Sequence, residues 1–99
     1  MTPKSSSYRL RVPHDLATLL RGLHPSLKQK IKGALQTILL DPHAGKPLRE
    51  ELAGLRSYRV SRFRVIYRIA DKTTVELVAV GPRKPIYEET FRHLQKQQP

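Results

Sequence analysis

The chain has 99 residues, no cysteine, and 19 Lys+Arg against 8 Asp+Glu, a formal net charge of +11. That length holds one domain with a single core, burying roughly 60 to 70% of the surface its unfolded chain would expose. The missing cysteine excludes a disulfide framework, a thiolate nucleophile and a Cys-type zinc site, and fits a cytoplasmic location.

Residues 1–7, rich in Ser, read as a flexible lead-in, and residues 8–97 as the one domain. The opening MTPKSSSYRLRV lacks the apolar core of a signal peptide, and no apolar run nears the roughly 18 residues of a membrane span. Tyr8, Leu10 and Val12 alternate with Arg9 and Arg11, the period of a half-buried strand ending at Pro13. Leu16, Leu19, Leu20 and Leu23 then recur at helical spacing, with Asp15 in the first turn and Gly22 near the end. Pro25 suits the first turn of a second helix whose apolar side is Leu27, Ile31, Leu35, Ile38 and Leu39, stopped by Asp41-Pro42. Two short helices packed as a hairpin are expected. His43 to Glu51 reads as a loop bordering the working surface.

Three strands follow. Tyr58 and Val60 face one way and Arg59 and Ser61 the other; next, Phe63, Val65, Tyr67 and Ile69 oppose Arg62, Arg64, Ile66 and Arg68. Asp71-Lys72 turns into Thr74 to Val80, a nearly continuous apolar run that reads as a central strand. Ile86 to Gln97 has the spacing of a final helix. The fold class is α+β, β-α-α-β-β-β(-α), a helical hairpin on a mostly antiparallel sheet.

From Leu52 to Ala70 there is no acidic residue, so Arg56, Arg59, Arg62, Arg64 and Arg68 lack a nearby sequence partner. Guanidiniums without counter-charge on a sheet suit a polyanion, because each offers a planar fork of donors matched to phosphate oxygens. A single amphipathic helix would favour a membrane surface; charge on short strands favours nucleic acid. Tyr58 and Tyr67 read as core. The four histidines lack metal-ligand spacing, so neither metal nor cofactor is expected. Glu50 and Glu51 read as neutralising nearby cations.

The order of these pieces resembles the RelE/ParE superfamily of bacterial toxins over nearly the whole chain. It is carried by Leu48 and Gly54-Leu55 before Tyr58-Arg59-Val60, then Arg64-Val65-Ile66-Tyr67, then Val80-Gly81-Pro82-Arg83 leading to Tyr87. The resemblance implies a toxin held by a cognate antitoxin. RelE-like members cut messenger RNA on the ribosome, whereas ParE-like members poison DNA gyrase without being enzymes, so fold alone does not select an activity. Carried over one residue at a time, the catalytic face of the RNA-cutting branch falls on Arg59, Arg64, Arg83 and Tyr87. Where RelE has two lysines flanking one residue, this chain has Arg59 and Ser61. With Arg56, Ser61, Arg62, Arg68 and Lys84 as substrate contacts, the expected activity is a metal-independent endoribonuclease closer to the RelE branch. The alternatives are a ParE-like gyrase poison and a plain RNA-binding domain. Arg64 would stabilise charge on the phosphate, Arg83 would hold the phosphate or assist the leaving oxygen, and Tyr87 would stack on a base or exchange a proton. The general base stays open between Tyr87 and Lys84, since arginine rarely releases its proton.

Overall fold

The computed structural model describes residues 8–97, side chains at 83–85, 93 and 95–97 excepted; the lead-in expected at 1–7 lies outside them. Strand β1 (Arg9–Arg11) turns half-buried Leu10 to the core between two exposed arginines. Helix α1 (His14–Arg21) follows Pro13 directly, with Asp15 in its first turn and Arg21 in its last, both complementing the helix dipole. In α2 (Pro25–Leu40), Pro25 occupies a first-turn position where its missing N–H costs nothing, and the Ser26 N–H donates to His24 Nδ1 at 3.2 Å. Ile31, Ala34 and Ile38 are buried on its inner side. The helical hairpin thus forms as the leucine spacing predicts.

The segment after α2 is more ordered than the loop expected there. Lys46–Pro47 pairs antiparallel with the next strand and forms a short edge strand, β2, followed by a 3₁₀ turn at Glu50–Leu52. Tyr67 is the reason it is fixed. Its hydroxyl, at the end of a wholly buried ring, donates to the Pro42 carbonyl at 2.6 Å and accepts from the Gly45 N–H at 2.9 Å. A Cβ on Gly45 would sit 2.6 Å from that oxygen, so only glycine lets the backbone approach. Burial raises the Tyr67 pKa, an effect partly offset by the Gly45 N–H and the nearby Arg56 charge.

Strands β3 (Arg56–Val60), β4 (Phe63–Asp71) and β5 (Thr74–Pro82) complete a five-stranded sheet of order β1-β5-β4-β3-β2, with β1 parallel to β5 and the other pairs antiparallel. Val65, Tyr67, Val75, Leu77 and Val80 pack against the hairpin; Leu55, Ile66 and Ile86 form a second cluster on the opposite face, with Val78, Ala79, Tyr87 and Leu94 around it. Consecutive Val78 and Ala79 serve the same cluster because a β-bulge lies there: Ile66 pairs with Ala79 but Tyr67 with Leu77. Covered on both faces, β5 is the interior strand that its apolar run predicts.

Helix α3 (Arg83–Gln97) starts directly after β5, three residues before the expected Ile86. Pro85 falls inside its first turn, where a missing N–H is tolerated, so it does not delay the helix. α3 packs over part of the sheet face that carries Arg59, Arg64 and Ile66. Ile66, which alternates with Arg64 and Arg68, is completely buried beneath it. Gly81 leaves room for the Ile86 side chain, since a Cβ there would meet Ile86 Cδ1 at 3.0 Å. No helix among the described residues is long and apolar enough to cross a membrane.

Candidate active site

The sheet register sorts the five arginines into different environments. Arg56 pairs with Tyr67 and so lies on the hairpin face, opposite to Arg59 and Arg64; its Nε donates to the Gly45 carbonyl at 3.0 Å and its guanidinium to the His43 carbonyl at 3.2 Å. It secures the 43–45 segment. Arg68 has a partner after all: Glu76, its cross-strand neighbour, accepts from Arg68 Nε and Nη2 at 2.7 Å each, and Arg11 approaches the other carboxylate oxygen at 3.5 Å. Arg68 is therefore not the free cation expected, and neither is Arg56. Arg62 lies in the β3–β4 turn rather than on a strand.

Arg59, Arg62 and Arg64 remain without an ion pair among the described residues. Arg59 and Arg64 are directly opposed across β3 and β4, and Arg64 is in turn opposite Gly81 on β5. The three positions make one transverse row. The adjoining row toward the sheet end is Val60, Phe63 and Pro82, with Ser61 and Arg62 forming the turn beyond it. Ser61 has φ +59°, a left-handed conformation that costs a side-chain-bearing residue roughly 1 kcal/mol or more, and its carbonyl accepts from Arg59 Nε at 3.4 Å. Arg83 and Lys84 are the first two residues of α3, two and three positions past Gly81. The register thus places Arg59, Ser61, Arg62 and Arg64 at one end of the sheet, where the α3 backbone begins at Arg83 and Lys84, and leaves Arg56 and Arg68 out.

Tyr87 reaches the same face from α3. Half-buried, it places its hydroxyl 3.0 Å from Ser57 Oγ, and Ser57 is two residues before Arg59 on β3. Residues two apart on a strand share a face and stand roughly 7 Å from each other. Ser57 itself was not singled out in the sequence; its only signal is that it shares the strand parity of Arg59. Glu50 and Glu51, expected to neutralise nearby cations, are exposed and make no ion pair among the described residues.

Residues 8–87 match the family model for the ParE toxin of the type II toxin-antitoxin system parDE. The chain belongs to this toxin family, within the RelE/ParE superfamily. Toxin RelG of Mycobacterium tuberculosis is 52% identical over 44 residues, 43% of this chain and 51% of that protein, so the match spans about half of that relative. The RelBE2 toxin-antitoxin complex of the same organism contains a chain 35% identical to this one, with a TM-score of 0.67 over 78% of this chain and 99% of that one. A mutant of the Escherichia coli RelE toxin in its free state is 21% identical with a TM-score of 0.71, covering 93% of this chain and 99% of that one, a likeness of fold alone. The chain thus shares the α+β fold of the family to which it belongs.

Proposed function

We propose that this toxin is a metal-independent endoribonuclease that cleaves messenger RNA on the ribosome. The observation that carries the reading is the Arg59–Arg64–Gly81 row, two arginines opposed in register with no ion pair among the described residues, two strand positions from the Ser57 whose Oγ meets the Tyr87 hydroxyl. Like charges placed directly across a ladder destabilise a sheet. A bound phosphate would offset that repulsion, since each guanidinium can donate two hydrogen bonds to its oxygens.

In the proposed reaction the ribose 2′ oxygen forms a bond to the adjacent phosphorus while the bond from phosphorus to the 5′ oxygen breaks. The 2′ hydroxyl loses a proton and the leaving oxygen gains one, so nothing is oxidised or reduced. Arg64 and Arg59 stabilise the charge that builds on the phosphate, a contribution that a fixed, partly dehydrated donor makes more strongly than a mobile one. Half-buried Arg64 is the less solvated of the two. Arg83 supports the phosphate or the departing oxygen from the start of α3, Arg62 and Ser61 contact the flanking strand, and Tyr87 or Lys84 manages the ribose proton. The ribosome orients the RNA and supplies the entropic advantage of a fixed reactant geometry. This chemistry belongs to the cytoplasm, where translation occurs.

The partner in this reading is a cognate antitoxin whose acidic segment covers the arginine row. The net charge of +11 supports an acidic partner, and the similar toxin from Mycobacterium tuberculosis is part of a toxin-antitoxin complex. A second reading is favoured by the description of the matched family model: a ParE-like toxin that binds and poisons DNA gyrase. Induced expression followed by mapping of RNA 5′ ends separates the two. Cleavage within translated messages, lost in Arg64→Ala, is expected; intact messages with gyrase trapped on DNA would replace the first reading with the second.

A further inference from the structure

Ser57 is a hydroxyl inside the protein, 2% exposed, on a strand whose neighbouring same-face residue is the candidate phosphate ligand Arg59. A buried hydroxyl requires a partner, and its side-chain partner is Tyr87, thirty residues later in the chain. Ser57 also stands opposite Ile66, which packs with Ile86, the residue preceding Tyr87. The apolar contacts therefore hold the ring, and the hydrogen bond holds its oxygen.

We propose, resting on the ribonuclease reading above, that Ser57 is a positioning residue: its hydroxyl fixes the Tyr87 hydroxyl beside the Arg59–Arg64 row so that it meets the ribose of the nucleotide being cut. A phenol oxygen carries one proton and accepts hydrogen bonds as well. Contact with Ser57 uses one of these positions and leaves the others to RNA on the open side of half-buried Tyr87. Without Ser57 the ring stays packed while its oxygen loses its fixed direction. A misplacement of about 1 Å at a reacting group can slow a reaction about a hundredfold.

The test measures kcat and KM for cleavage of messenger RNA on programmed ribosomes by the full chain and its Ser57→Ala, Ser57→Thr, Tyr87→Phe and Ser57→Ala/Tyr87→Phe variants, with thermal melts for each. Ser57→Ala should lower kcat roughly 10 to 100-fold with KM unchanged, and Ser57→Thr should recover most of the rate. In the Tyr87→Phe background Ser57→Ala should cost nothing further, the signature of one residue acting through another. Equal losses in both backgrounds, a wild-type rate for Ser57→Ala, or a change in KM alone would overturn the proposal. A Tyr87→Phe variant that cuts normally would overturn it too while leaving Arg64 in place. A wild-type protein that cuts no RNA would refute the ribonuclease reading itself, an outcome distinct from failure of the Ser57 assignment.

Discussion

Arg59 and Arg64 stand opposite each other across β3 and β4, two guanidiniums on one face of the sheet with no ion pair to either among the described residues. Directly opposed like charges typically cost a sheet a few tenths to about 1 kcal/mol. Arg59→Ala should therefore leave the fold equally stable or raise stability by that amount in chemical denaturation, while RNA affinity falls. A marked loss of stability would mean that the pair is held by something other than a future ligand.

Arg64→Ala should slow cleavage roughly 100 to 1000-fold, the usual effect of removing one preorganised donor of charge stabilisation. Arg9→Ala, exposed on the remote β1, serves as the control and should stay near the wild-type rate. Denaturation midpoints of both variants should remain close to wild type, within about 0.5 kcal/mol for the surface control.

RNA affinity should fall as salt rises, with a logarithmic slope near 0.7 for each phosphate contacted on a single strand. Removing the charges of Arg59, Arg62 and Arg64 together should lower that slope by about 2 if each contacts one phosphate. Removing the charges of Arg56 and Arg68 should lower it less, because the first is engaged by backbone carbonyls and the second by Glu76. Fluorescence anisotropy across a salt series checks both statements.

Tyr67→Phe should destabilise the protein by about 1 to 3 kcal/mol at neutral pH, since it leaves a buried Gly45 N–H and the Pro42 carbonyl without their partner. The raised pKa of Tyr67 also has a sign at high pH. Above the ordinary tyrosine value the unfolded chain gives up this proton first, so the Tyr67 contribution is present below about pH 10 and is lost as pH climbs toward the folded value. Urea midpoints between pH 8 and 11 should fall for the wild type and fall less for Tyr67→Phe.

Helices and strands were legible where periodicity was long: the leucines of α1 and α2 and the alternation of β3 and β4 leave little choice of element. Lys46–Pro47 was not, because two residues carry no period and the pairing depends on Tyr67 drawing Pro42 and Gly45 inward. The arginines were the harder case. Arg56 shares the parity of Tyr58 and Val60, so alternation alone already assigns it away from Arg59. The partner of Arg68 lies outside the acid-free stretch that made it look unpaired, and counting back from the Asp71–Thr74 turn would have placed Leu77 opposite it. An irregularity at Ala70 moves Glu76 there instead. The Arg59–Arg64 pairing was readable from the short Ser61-Arg62 connection, whereas the meeting of Ser57 with Tyr87 depends on where α3 lies and had no local signal.

The doubled position at Val78–Ala79 works as a phase shift along β5. Every residue beyond it is turned by half a strand repeat relative to Val75 and Leu77, which is why Gly81 shares the α3 face with Arg64 while Val80 turns to the hairpin. In a strand of unbroken phase, position 81 would belong to the hairpin face, and the helix launched two residues later would start from the wrong side of the sheet to bring Tyr87 to Ser57. The assembly of this face is thus encoded as a residue count. A one-residue deletion at the bulge should harm it more than most substitutions of the side chains there.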